Sequence, residues 1–232
     1  MSAYTKNWRL SFNTKKTKIL IFRKAGNVHE HEQWTYNGLK LDIVDQFCYL
    51  GVVFNYNCKF LVTQKHCAEQ GRKALYSMKR NVVPFYFNVC TMLSLFDTYV
   101  LSILMYGCEV WGMHKAPMIE KVHIDFCKVL LGVKRSTTNV MVYYELGRLP
   151  LKYERNYRIL KLWCKLINTD NCIMKACYKE LVLNFTKFNN FSTYVKSLLY
   201  NLGKMYVWDN QWNLQNFISV YLIKQNKRRI HY

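Results

Sequence analysis

The spacing of apolar residues changes character near residue 60. Before it they come in short, strand-like runs, and after it they recur every three or four residues. Trp8, Leu10 and Phe12 alternate with polar neighbours, and Lys18-Ile-Leu-Ile-Phe22 is a short apolar run; both patterns predict strands. Gly26 to Gln33 is polar and predicts a loop. Trp34-Thr-Tyr36, Asn37-Gly38 and Leu39-Lys-Leu41 predict a hairpin, because Asn-Gly supplies the positive φ angles of a type I′ turn. Phe47-Cys-Tyr-Leu-Gly-Val-Val-Phe54 predicts a further strand with Gly51 inside it. A glycine there marks either an edge bend or a place where something presses on the backbone, and spacing leaves both open.

Helical periodicity follows. Cys67, Ala68, Ala74, Leu75 and Met78 fall on one side of a helix between Lys65 and Arg80, with Glu69, Arg72, Lys73, Lys79 and Arg80 as the polar complement. Leu93, Phe96, Val100, Ile103, Leu104, Gly107 and Trp111 then predict a central buried helix, opened by Pro84 and closed by Gly112 and Pro117. No charge interrupts Asp97 to Glu109, but the run falls short of the about 20 apolar residues a membrane span needs. Ile119, Val122, Phe126, Val129 and Leu130 predict the next helix, with Gly132 as its candidate cap. Beyond Pro150 the stripe Tyr153, Tyr157, Leu160, Trp163, Ile167 predicts another, with Lys152, Arg155, Lys161 and Lys165 largely off it. Residues 168–232 read as helical and aromatic and end in a basic tail, Lys224 to Arg229. The predicted fold class is α+β: β-hairpins, then a mainly α-helical bundle, then a helical C-terminal region.

Charge adds a partner to this picture. The 34 Lys and Arg outnumber the 14 Asp and Glu, a net charge of +20 that favours a polyanion, nucleic acid ahead of a membrane surface. The plainer alternative is a well-solvated basic surface, and the charge run on the Lys152–Lys165 helix fits both. The nine cysteines include no Cys-x-x-Cys pair; Cys58 with His66 and Cys67, Cys172 with Cys177, and His29 with His31 come nearest to ligand spacing. No metal site is expected. Free thiols and the lack of a signal-like start predict an intracellular protein, nuclear or cytoplasmic, rather than a secreted one. The acidic residues are scattered and no two are adjacent. There is no phosphate-binding Gly-rich loop and no nucleophile elbow, and His66, His114 and His123 have no evident nucleophile partner. On residues alone this is a basic nucleic-acid-binding domain without a catalytic centre.

The order of motifs says more. Trp8-Arg-Leu-Ser-Phe-Asn13, Lys16-Thr-Lys18, Ile21-Phe22, Phe47-Cys-Tyr-Leu-Gly51, Phe96-Asp-Thr and Met105-Tyr-Gly-Cys-Glu-Val-Trp-Gly112 together resemble the reverse transcriptase of non-LTR retrotransposons, of the Jockey-like kind. Glu120, His123, Phe126-Cys-Lys, Leu130-Leu-Gly-Val133, Thr137, Asn139, Glu145-Leu-Gly-Arg148 and Pro150-Leu151 continue the match, so that it runs unbroken from residue 4 to about 167. The resemblance implies three regions: 1–60, the end of a polymerase palm with a primer-grip-like hairpin; 61–133, a thumb-like bundle; and 134–232, a basic helical C-terminal region. It implies that Lys16, with Lys18 second, is the lysine that assists proton transfer near the incoming nucleotide. It makes Phe47, Tyr49, Leu50 and Gly51 the hairpin that holds the primer end, which favours close approach over an edge bend at Gly51. Arg72, Lys73, Lys79 and Arg80 become thumb contacts, with Arg155 and Lys161 further candidates on the basic helix.

The paired aspartates that hold Mg²⁺ in such polymerases lie upstream of the Asn-x-x-Lys-Thr-Lys box and are not in this sequence, so no cofactor is expected here although the complete polymerase would need Mg²⁺. The expected partners are RNA or an RNA/DNA template–primer duplex and the upstream part of the polymerase, with no membrane. The alternatives are a stand-alone basic RNA- or DNA-binding relic and a decayed, non-functional reading frame.

Overall fold

Two compact units divide the chain, Met1–His66 and Cys67–Tyr232. The computed structural model describes residues 7–9, 13, 16–23, 26–29, 31–36, 38–82, 87–183 and 190–210. Leu10 and Phe12 of the first predicted strand, Asn37 of the predicted turn, Pro84 and the tail from Lys224 lie outside the described residues. The fold is α+β, with short strands at the N-terminal end and helices beyond them.

In the first unit three two-stranded sheets form. Strand β1 (Lys18–Ile19) pairs in parallel with β4 (Asp42–Ile43). Strands β2 (Thr35–Tyr36) and β3 (Leu39–Lys40) make the expected hairpin, turning through Gly38 at φ 77°. Strands β5 (Gln46–Tyr49) and β6 (Val52–Asn55) make a second hairpin. This corrects the single strand that spacing predicts over 47–54 and agrees with the hairpin that the resemblance implies: Leu50 and Gly51 both take positive φ, 47° and 77°, and reverse the chain. Of the run Lys18–Phe22 only the first two residues join a ladder; past Phe22 the Arg23 N–H donates to the carbonyl of Tyr56, the residue after β6, at 2.8 Å. Residues 7–9 turn instead of extending, with Arg9 at φ 51°.

Helix α1 (Leu61–Val82) begins in the first unit and continues into the second. Its buried side carries Cys67, Ala68, Leu75 and Met78 as the periodicity predicts. Gly71 lies on the same side because nothing larger fits: a Cβ there would sit 2.3 Å from Leu104 Cδ2, and Leu104 is fully buried.

The expected central helix is present but interrupted. It runs as α2 (Val89–Leu95), a wider π-helical stretch (Phe96–Leu101) and α3 (Ser102–Leu104). Asn88 opens it by accepting the Thr91 N–H at 2.8 Å. Gly107 then adopts φ 62°, outside the helical range, and the chain restarts as α4 (Cys108–Trp111). The predicted burial survives the break in part: Phe96, Val100, Leu104 and Trp111 are fully buried, whereas Leu93, Ile103 and Gly107 are half-buried.

Helix α5 (Pro117–Leu130) takes Pro117 in its first turn. Gly132, at φ 67°, closes it: Gly132 N–H reaches the Val129 carbonyl and Val133 N–H the Lys128 carbonyl, both at 3.1 Å. Val129, expected on the apolar stripe, is exposed.

Beyond α6 (Asn139–Glu145) comes α7 (Leu151–Ile167), whose buried row is Leu151, Arg155, Ile159, Trp163, Ile167. That row sits to one side of the predicted one, of which only Trp163 and Ile167 are buried. Helices α8 (Cys172–Leu183), α9 (Phe191–Asn201) and α10 (Met205–Asp209) then close a second core on α7. Trp163 stacks on Trp208 at 6.0 Å, and its Nε1–H donates to the buried Tyr178 hydroxyl at 2.8 Å. Among the described residues no helix is long and apolar enough to cross a membrane.

Candidate nucleic-acid interface

The most conspicuous polar residues of the second unit tie helices to one another. Arg148 forks onto Asp97, its two terminal nitrogens 2.7 and 2.5 Å from the carboxylate oxygens, which joins the segment after α6 to the π-helical stretch. Arg148 Nε also donates to His123 Nε2 at 3.4 Å, and the His123 ring lies against Phe96 and Tyr143 with centroids 5.4 Å apart in each case. Glu120 accepts the first N–H of α7, from Leu151, at 2.8 Å and pairs with Arg155 Nη1 at 3.0 Å. Burial pushes the Cys127 thiol up to about 12 and, helped by Glu109, the Cys108 thiol to about 12, so neither is a nucleophile near neutral pH. Among the described residues no three His, Cys, Asp or Glu side chains gather in one place. What these groups provide is rigidity.

The β5–β6 hairpin has a different character. Its register pairs Tyr49 with Val52 around a two-residue loop, the geometry of a type I′ turn. That turn favours Asn-Gly, yet Leu50 occupies the first position at φ 47°. A branched side chain in the left-handed region costs about 1–3 kcal/mol. Leu50 is 71% exposed and Tyr49 60%, and Phe47, on the same face as Tyr49, is exposed to a lesser degree. A strained turn that presents bulky apolar side chains to solvent is poor for stability, which makes the hairpin a candidate contact surface.

The hairpin is fastened at its base. Cys48 and Val53 form the next pair, whose backbone groups face away from each other. The Val53 N–H and carbonyl are both taken by the buried Thr63 hydroxyl of α1, at 3.1 and 2.8 Å.

Lys16 and Lys18 part company. Asn13 closes the turn before them, accepting the Lys16 N–H at its side chain (3.2 Å) and the Thr17 N–H at its carbonyl (3.0 Å). The Lys16 side chain is exposed and makes no ion pair among the described residues. Lys18 is paired with Asp42, whose carboxyl it holds below the usual range by hydrogen bonding and charge.

On α1, Arg72, Lys73 and Arg80 are exposed and Lys79 is half-buried, its ammonium shifted down by burial. Tyr76, which no motif marks, lies among them, four residues from both Arg72 and Arg80. That spacing is the signal in the sequence that could have found it. On α7 the two candidates separate. Lys161 is exposed, whereas Arg155 is only 4% exposed and is committed to Glu120. The expectation that Arg155 sits off the buried stripe is thus corrected; it occupies a stripe position because Glu120 neutralises it there. The hairpin, Lys16 and Lys18 belong to the first compact unit, and the basic face of α1 and Lys161 to the second.

No protein-family model matches the chain, and no solved structure matches it. A transposon-derived protein of Caenorhabditis elegans, itself uncharacterized, is 31% identical over 127 residues, 53% of this chain and 45% of that relative. The matched part thus spans less than half of the relative's length. This similarity supports a transposable-element origin for the sequence.

Proposed function

We propose that the chain binds template–primer nucleic acid as the primer-grip and thumb portion of a non-LTR retrotransposon reverse transcriptase of the Jockey-like kind. The β5–β6 hairpin carries the reading: a strained Leu50-Gly51 turn with Tyr49 and Leu50 held out to solvent. The motif order from Trp8 to Leu151, the net charge of +20 and the similarity to a transposon-derived protein support it. Of the two candidate lysines, Lys16 suits a role beside phosphates better, since Lys18 is neutralised by Asp42. With no adjacent acidic pair, the chain supplies grip and alignment to a polymerase; it does not itself join nucleotides.

The test uses the hairpin tip and an RNA–DNA hybrid with a recessed primer end. Leu50→Asn fits the turn, so thermal stability rises by about 1 kcal/mol from relieved backbone strain. Combined with Tyr49→Ala it removes the apolar tip, and affinity for the hybrid falls about tenfold, within the range of one lost stacking contact. Unchanged affinity in the double variant would rule out the hairpin as a primer contact.

A further inference from the structure

The outer face of α1 carries more than phosphate-binding charge. Arg72, Tyr76 and Arg80 recur at intervals of four residues and so lie on one line along the helix, with Lys73 beside Tyr76. Each helical residue adds about 1.5 Å, so successive members of the line stand roughly 6 Å apart. All four are exposed, Tyr76 to 71%, and none of their side chains forms an ion pair, ring contact or hydrogen bond among the described residues. Between Gln70 and Val82 the helix contains no acidic residue. The opposite face fixes the orientation, because Gly71 is pressed against Leu104 and Ala68, Leu75 and Met78 are buried, so the line cannot turn inward.

We infer that this line is a binding site for single-stranded nucleic acid, with the Tyr76 ring stacking on an unpaired base while Arg72, Lys73 and Arg80 hold the phosphates on either side. The inference rests on the nucleic-acid reading above and adds a ligand class to it. Charge alone would serve a duplex equally well, since phosphates are common to both. An exposed ring between cations adds affinity where a base face is free, and in a duplex those faces are stacked on each other. The strand expected here is the unpaired part of a template, beyond the hybrid.

The experiment measures fluorescence anisotropy of a labelled single-stranded RNA, and of the same RNA annealed to its complement, against the full chain. Tyr76→Ala weakens single-strand binding about tenfold, the scale of one base stacked on one aromatic ring, and leaves duplex binding within about twofold. Tyr76→Phe keeps the ring and restores wild-type affinity. Arg72→Gln weakens both ligands alike, because a phosphate contact does not distinguish them. Equal loss for both ligands with Tyr76→Ala, or no loss for either, would overturn the stacking role while leaving nucleic-acid binding intact. If the wild-type chain bound neither ligand, the nucleic-acid reading itself would fall, and this site with it.

Discussion

His123 shows how one residue can set the acid limit of the second unit. Its ring is fully buried, stacked on Phe96 and tilted against Tyr143, and Nε2 faces the Arg148 guanidinium. With Nε2 accepting, the ring proton falls on Nδ1, which is buried without a partner among the described residues. Burial above all, and then the Arg148 charge, hold the imidazole down to about 3 against an ordinary 6.5, with Asp97 opposing weakly. The unfolded chain therefore takes up a proton as pH falls through 6.5 and the folded chain does not. Stability is lost on acidification between about 6.5 and 3, by up to about 1.4 kcal/mol for each pH unit. Urea denaturation at neutral pH and near pH 5 should show this slope, and His123→Phe should remove most of it. A slope unchanged in that variant would assign the acid sensitivity to other groups.

Helix α1 is where element-scale packing decides what the surface offers. Gly71→Ala would gain up to about 1 kcal/mol of helix propensity. It would also place a methyl 2.3 Å from Leu104 Cδ2 inside a filled core, and overpacking of this kind costs about 1–3 kcal/mol. The clash should win, so melting shows net destabilisation, and Leu104→Ala in the same chain should relieve part of it. A more stable Gly71→Ala variant would mean that α1 does not seat on Leu104.

The buried side of α1 was legible because its residues are small or apolar at helical spacing. The row on α7 was misplaced because a buried cation, Arg155, stands in it, and only the three-dimensional meeting with Glu120 makes that position apolar in effect. The β5–β6 turn escaped the spacing for a related reason, since Leu-Gly is not a turn signal and the strain at Leu50 has no trace in periodicity; only the motif resemblance implied a hairpin there. The break at Gly107 lies inside an apolar run that reads as continuous; along it Phe96, Val100, Leu104 and Trp111 are buried as the spacing predicts, while Leu93, Ile103 and Gly107 are only partly so. Of the candidate site, the basic residues of α1 were readable from their polar complement. Neither the apolar tip of the hairpin nor the burial of Arg155 could be read in that way.

At the scale of the whole molecule, the excess of 34 Lys and Arg over 14 Asp and Glu matters only as far as the cations reach solvent. Arg23, Arg148, Arg155 and Arg158 each pair with a carboxylate and serve the fold. Arg72, Lys73, Arg80 and Lys161 have no such pairing among the described residues and stand exposed. Binding to a polyanion releases condensed counterions, one group for each phosphate neutralised, so affinity falls with salt on a log–log slope of about 0.7 to 0.9 per contact. Replacing Arg72 and Arg80 with Gln removes two contacts and should flatten that slope by roughly 1.4 to 1.8, for all sequences alike. Arg158→Gln lowers the net charge as well, but the charge it removes was already spent on Glu154, and its slope should match the wild type. If Arg158→Gln flattened the slope in proportion to its charge, binding would depend on the overall excess of cations and not on a surface. The chain would then be a generic basic protein of transposable-element origin, and the exposed face of α1 would have no special part in it.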